Sequence, residues 1–188
     1  MKIGITCYPT HGGSGVVATE LGMELAKRGH EVHFISYQVP FRLKPYQENV
    51  TFHEVQILSY PLFQYPPYTL ALAAKMAEVA DEVGLEVLHA HYAIPHAICG
   101  YLARQIAKTS NFRLVTTLHG TDITLVGSDA TFKDLTRFGI DQSEGVTAVS
   151  EFLRRKTIEV FEPRVPIRVI PNFVDTSRYV PRKSGACR

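Results

Sequence analysis

The chain has 188 residues, 45% of them hydrophobic and 20% charged, with a formal net charge of +2. That is the make-up of one soluble globular domain, and it excludes a chain drawn by bulk charge to nucleic acid or membrane surfaces. Three widely spaced cysteines, Cys7, Cys99 and Cys187, form neither a disulfide framework nor a C-x-x-C knuckle and fit a reducing cytosol.

Met1 and Lys2 lead straight into the apolar run Ile3-Gly4-Ile5-Thr6-Cys7, so a strand is expected and no signal peptide. A glycine-rich turn follows, Gly12-Gly13-Ser14-Gly15. A helix then runs from about residue 14 to 28, with Val17, Leu21 and Leu25 on one face. Lys27 and Arg28 suit its C-terminal dipole, and Gly29 is a left-handed stop. Residues 31–35 form a second strand and close a βαβ unit. Residues 39–49 are a loop, 50–57 a third strand, and 59–68 a loop rich in Pro and Tyr. Leu70, Ala73, Ala77 and Ala80 mark a helical face that ends near Val83-Gly84.

A fourth strand at 87–90 exits through His91-Tyr92-Ala93-Ile94-Pro95-His96. Pro95 suits the first turn of the next helix, whose face is Ile98, Leu102 and Ile106. The β-branched run 113–118 is a fifth strand, and it exits through His119-Gly120-Thr121-Asp122. A polar, poorly periodic stretch leads to a helix at 131–142 and a sixth strand at 145–149. Ser150 caps a helix at 151–161, and a last strand at 167–170 precedes Pro171-Asn172-Phe173-Val174-Asp175. Residues 181–188 carry no core-forming pattern and read as frayed. Strands alternating with helices predict an α/β fold, a doubly wound, parallel, Rossmann-like sheet. Ligands then bind beyond the carboxyl ends of the strands. The glycine turn, the His91–His96 exit and the His119–Asp122 exit all leave such ends.

A glycine turn opening a helix is a seat for an anion, because glycines admit close approach and the helix N-terminus presents unpaired N–H groups. The turn matches neither G-x-G-x-x-G nor the P-loop, and Ser36-Tyr37 stand where a ribose-binding acid would follow strand two. A dinucleotide is therefore disfavoured. His89, His91, His96 and His119 raise the question of zinc, but no H-E-x-x-H or acidic cluster accompanies them, and no metal is expected. His89 reads as a core histidine bonded to backbone. His119 is the better functional candidate, set against a plain turn histidine with Asp122 as a helix cap. Tyr92 either lines the pocket or packs. Arg137, beside Leu135 and Phe138, either meets a carboxylate or is solvated. The Tyr/Pro loop is a lid, an interdomain surface or inert.

Together these motifs resemble the N-terminal half of a retaining family 4 glycosyltransferase of GT-B fold. The resemblance rests on Gly12-Gly13-Ser14-Gly15, His89-Ala90-His91-Tyr92, Thr116-Thr117-Leu118-His119-Gly120-Thr121-Asp122, Val146-Thr147-Ala148-Val149-Ser150 and Pro171-Asn172-Phe173-Val174-Asp175. Ile5-Thr6-Cys7-Tyr8-Pro9, Pro40-Phe41-Arg42-Leu43, Phe63-Gln64-Tyr65-Pro66-Pro67-Tyr68 and His91-Tyr92-Ala93-Ile94-Pro95-His96-Ala97 are closest to members that move N-acetylglucosamine from UDP to the hydroxyl of L-malate, the first step of bacillithiol synthesis.

The resemblance implies two Rossmann-like domains with the active site between them. Residues 1–175 would be the acceptor-binding domain and 176–188 the start of a linker or a frayed tail. The C-terminal donor domain would be absent and this chain inactive alone. It further implies retention, no metal or other cofactor, a cytoplasmic protein, and UDP-N-acetylglucosamine and L-malate as partners, with a homo-oligomer left open. Carried over by motif, Gly13, Ser14 and Gly15 would face the donor diphosphate, with Ser14 also at the acceptor. His119 would touch the transferred sugar as the catalytic contact, and Tyr92, Thr117 and Arg137 would hold malate. Thr116 alternates with Thr117 on the strand and competes for that place. A family 4 transferase with another acceptor and a non-catalytic nucleotide- or anion-binding module remain as alternatives.

Overall fold

The computed structural model describes residues 1–44, 46–58 and 60–176; the tail at 177–188, with Cys187, lies outside the described residues. Seven strands form one parallel sheet: β1 (Lys2–Thr6), β2 (Glu31–Ser36), β3 (Val50–Glu54), β4 (Val87–His91), β5 (Arg113–Leu118), β6 (Gly145–Ala148) and β7 (Ile167–Val169). Their order across the sheet is β3-β2-β1-β4-β5-β6-β7. The chain winds outward from β1 in both directions, so the sheet reverses between β1 and β4, beside the Gly12–Gly15 turn and the His91 exit. That switch point is where ligands settle in such folds.

The helices are α1 (Gly13–Lys27), α2 (Tyr68–Val83), α3 (Ile98–Ile106), α4 (Thr121–Thr124), α5 (Lys133–Asp141) and α6 (Glu151–Phe161). Helix α1 packs on Ile3, Ile5, Val32 and Phe34 on one face of the sheet. Helices α2 and α3 pack with Ile35, Leu88, Ala90 and Leu114 on the other face, and Ile140 and Leu153 bury against Leu118, Val146 and Ala148. Ser150 caps α6, its hydroxyl accepting from Leu153 N at 3.2 Å, a contact typically worth about 1 kcal/mol.

The elements fall where the periodicity places them, but the faces of three helices differ. Val17, Leu21 and Leu25 are only half-buried, whereas Gly15, Ala18, Thr19, Gly22, Met23 and Ala26 are buried. The reason is distance. A Cβ on Gly22 would stand 2.4 Å from the Phe34 ring, so α1 approaches the sheet through its small residues. In α3 the buried residues are Cys99, Gly100 and Ala103 rather than Ile98, Leu102 and Ile106, and a Cβ on Gly100 would meet Leu114 at 2.6 Å. Leu70 is exposed, and Leu72, Met76 and Val79 join the predicted alanines inside. Strand β3 stops at Glu54, short of Ile57, and the polar stretch after His119 contains the short helix α4.

Pro95 does not open a regular helix. It follows a cis peptide inside an irregular turn over Ala93–Ala97. Among the described residues no helix is long and apolar enough to cross a membrane.

Candidate active site

Register decides which side chains face α1. In the parallel sheet Ile5 pairs with His89 and His89 with Val115, while His91 pairs with Thr117 and Thr117 with Thr147. Partners across strands share a face. His89, His91, Thr117 and Thr147 therefore line the α1 side, where with Val17, Leu21, Leu25 and Phe173 they bound a cavity of about 330 Å³. Thr116 points the other way and hydrogen-bonds Ser143 Oγ at 2.8 Å.

The histidines form a layer whose nitrogens are largely satisfied within the protein. His89 Nε2 and Thr117 Oγ1 are 2.7 Å apart, and Thr117 Oγ1 is also 2.7 Å from Thr147 Oγ1. His89 is thus held by a hydroxyl, not by the backbone as expected. His91 Nδ1 lies 2.8 Å from His119 Nε2. His96 Nδ1 donates to the His91 carbonyl at 2.5 Å, which fixes its tautomer and leaves Nε2 as an acceptor facing Tyr68 OH at 3.5 Å. Among the described residues His91 Nε2 and Thr6 Oγ1 are buried without a hydrogen-bond partner. Burial lowers His89, His96 and His119 to about 4. His91 falls well below its usual value, by burial first and then by its histidine neighbours. At neutral pH the layer is uncharged. No three His, Cys, Asp or Glu side chains among the described residues are grouped to hold a metal ion.

The three strand exits converge. Tyr8, just after β1, meets the Tyr92 ring edge-on at 5.5 Å and the His96 ring at 4.6 Å. Tyr92 lies 5.5 Å from the His119 ring, and its hydroxyl is 3.0 Å from Thr121 Oγ1. Tyr8, Tyr92, Pro95, Thr121 and Phe132 surround a second hollow of about 330 Å³ at the carboxyl ends of the strands.

The open N-terminus of α1 is tied to this hollow by Gly15. A Cβ there would stand 2.4 Å from the Tyr8 carbonyl oxygen and 2.9 Å from that of Thr10. Gly12 and Gly13 are exposed and Ser14 half-buried, so the first amides of α1 face outward with no acceptor inside the helix. Beside them Phe41 covers the His11 ring at 3.9 Å, and Arg42 pairs with Glu20 at 2.9 Å.

Of the predicted site residues, the structure brings Gly13, Ser14, Gly15, Tyr92 and His119 to one end of the sheet. Thr117 sits in the layer beneath, under α1. Arg137 lies on the half-exposed face of α5, its Nε 3.9 Å from Asp141, and does not line the Tyr92 hollow. Tyr8, His96 and Thr121 were not singled out as site residues from the sequence, although each lies in a motif that was. Aromatic or hydroxyl side chains just past a strand end were the available signal.

A parallel sheet with this switch point and a glycine turn at the head of α1 defines a Rossmann-like domain. The family model described as Glycosyltransferase Family 4 matches residues 11–178, and the chain belongs to that family. A curated relative, N-acetyl-alpha-D-glucosaminyl L-malate synthase of Bacillus anthracis, is 57% identical over 182 residues, which is 97% of this chain and 48% of the relative. Among solved structures, the Anabaena protein HepE in complex with UDP and glucose superposes with a TM-score of 0.71 at 20% identity, over 95% of this chain and 46% of that one. Sucrose-phosphate synthase of Thermosynechococcus elongatus gives 0.67 at 16% identity, over 96% and 50%. At those identities the two structures show the fold alone. The chain spans about half the length of the curated relative it matches.

Proposed function

We propose that this chain is the acceptor-binding half of a cytoplasmic, retaining glycosyltransferase that moves N-acetylglucosamine from UDP-N-acetylglucosamine to the hydroxyl of L-malate. The observation that carries the reading is the 57% identity, across 97% of the chain, to a relative named for that synthesis. The donor-binding half would lie in sequence beyond these residues, and the present chain would not turn over alone.

The geometry supports a division of labour. Malate is a dianion, and the amides of Gly13, Ser14 and Gly15 at the head of α1 offer it, or the donor diphosphate, a partial positive charge. Tyr92 and Thr121 present hydroxyls from two neighbouring exits, 3.0 Å apart, to a small polar acceptor. Arg137 does not line the hollow, so to take a carboxylate it would have both to leave Asp141, a partly exposed pairing at 3.9 Å that costs little to break, and to swing towards the Tyr92 exit. Thr117, bonded to His89 and Thr147, would hold the histidine layer under the site rather than the acceptor itself. His119 is neutral at pH 7, so it would orient the transferred sugar by hydrogen bonding and not by giving up a proton.

Catalysis is then orientation of the two substrates and stabilisation of the leaving diphosphate by the α1 amides, without a metal. A chimera joining residues 1–175 to the second half of the Bacillus anthracis relative tests this. Transfer to L-malate with retention is expected, and Tyr92→Phe should raise the malate KM about tenfold. Transfer to another acceptor but not to malate, with the intact relative active as a control, would refute the substrate assignment.

A further inference from the structure

Two positive-φ positions stand at the two strand exits beside the Tyr92 hollow, one of them on a residue other than glycine. Tyr92 has φ 97° and ψ 131°, and Gly120 has φ 137° and ψ −70°. A tyrosine has no ordinary conformational well at such a φ, and it stays there only if its surroundings hold it. The amides around both positions end on one side chain. Ala93 N, next to Tyr92, donates to Asp122 Oδ2 at 3.0 Å. His119 N and Gly120 N donate to Asp122 Oδ1 at 3.1 Å and 2.8 Å. Asp122 is 1% exposed, so water does not compete for these bonds.

A carboxylate suits the task, because both of its oxygens are acceptors only and can take all three N–H groups at once. An amide in its place would turn an NH₂ against at least one donor. Burial pushes the Asp122 carboxyl upward while its backbone donors pull it down. As a helix cap Asp122 would serve α4 alone, yet one of its three donors comes from a different strand exit.

We infer that Asp122 is the positioning residue of this site: its buried carboxylate ties the β4 exit, which carries Tyr92, to the β5 exit, which carries His119 and Thr121. It touches no substrate in this role. It holds Tyr92 in a conformation that keeps its hydroxyl on Thr121 and its ring beside His119. Without it the two exits keep their side-chain contacts and the bond from Tyr92 N to the Thr117 carbonyl at 3.0 Å, but lose the three backbone bonds that gather on one carboxylate just beyond it.

The inference rests on the malate reading only for the binding half of its test. The 188-residue chain is compared with Asp122→Asn and with Asp81→Asn, by amide hydrogen exchange and by L-malate titration followed by NMR. Asp81, half-buried, is a control for a carboxylate that gathers backbone amides away from the site. Its carboxylate also accepts three backbone amides, from Lys108, Thr109 and Ser110, but it joins α2 to the α3–β5 connection at the opposite end of the sheet.

Asp122→Asn should speed exchange at Ala93, His119 and Gly120 at least about tenfold and weaken malate binding by about tenfold, while Asp81→Asn leaves the malate Kd within about twofold. A folded Asp122→Asn whose three amides stay as protected as in the parent overturns the inference. So does one that frees them with the malate Kd unchanged, or an Asp81→Asn that weakens malate equally. Should Asp122→Asn not fold, the parent decides: the three amides must exchange slowly and with a common protection factor, and rapid exchange at any of them overturns the inference. A parent that binds no malate refutes the proposed function instead, and the exchange comparison alone then decides this inference by the same criteria.

Discussion

Acidification from pH 6.5 towards pH 4 is expected to unfold the chain, and to do so with uptake of several protons. His89, His96 and His119 are held near 4 by burial and His91 lower still, whereas an unfolded histidine titrates near 6.5. Between those values the unfolded state binds more protons than the native state, so stability rises with pH across the window and is lost as pH falls through it. Each fully depressed histidine contributes about 3 kcal/mol above pH 6.5, on about 1.4 kcal/mol per pH unit. Even one such group is a sizeable share of the roughly 5–15 kcal/mol that holds a domain of this kind.

Urea unfolding at several pH values should therefore show a slope of two or more protons between pH 6.5 and 4. A slope near zero would mean that the layer opens and protonates without unfolding. Asp122, pushed upward by burial, works in the opposite direction and offsets only one proton of this uptake.

Gly15→Ala should be strongly damaging at the head of α1. The added Cβ would stand 2.4 Å and 2.9 Å from two backbone carbonyl oxygens, of Tyr8 and Thr10, which cannot rotate away as a side chain can. The head of α1 must retreat, at a cost of about 3 kcal/mol or more, which lowers Tm by about 10 °C in a domain of this length. It also moves Tyr8, whose ring rests on Tyr92 and His96. Gly13→Ala is the comparison, because its Cβ meets nothing within 4 Å, and Tm should stay within about 2 °C. Equal melting temperatures for the two variants would show that the glycines serve only the turn and not the close approach of α1.

The strands, the sheet class and the three converging strand exits were legible in the sequence because β-branched runs and Gly, Pro and His punctuation mark them directly. The helical faces were not. Periodicity rewards large side chains such as Val17, Leu21, Ile98 and Leu102, but close helix-to-sheet packing selects Ala18, Gly22, Gly100 and Ala103. On α1 the large residues were displaced to the wall of the cavity over the histidine layer.

The conformation of Tyr92 was also hidden, since a positive φ on tyrosine is imposed by Asp122, thirty residues away, rather than by local preference. Thr117 and Thr121 show the same limit from the other side. Both lie in the motif that carries His119, but only the sheet register and the turn after β5 reveal that Thr117 faces the layer and Thr121 faces Tyr92. The placement of Arg137 on α5 is legible; its pairing with Asp141 one turn later is a property of the folded helix.

The proposed acceptor site is tested most directly by titrating L-malate into the 188-residue chain and following backbone amides by NMR. Saturable shifts at Gly13, Ser14, Tyr92 and Thr121, with millimolar or tighter affinity and weaker binding in Tyr92→Phe, are the predicted result. A folded chain that shows no shift at these residues at millimolar malate, or shifts confined to the cavity under α1, would contradict it.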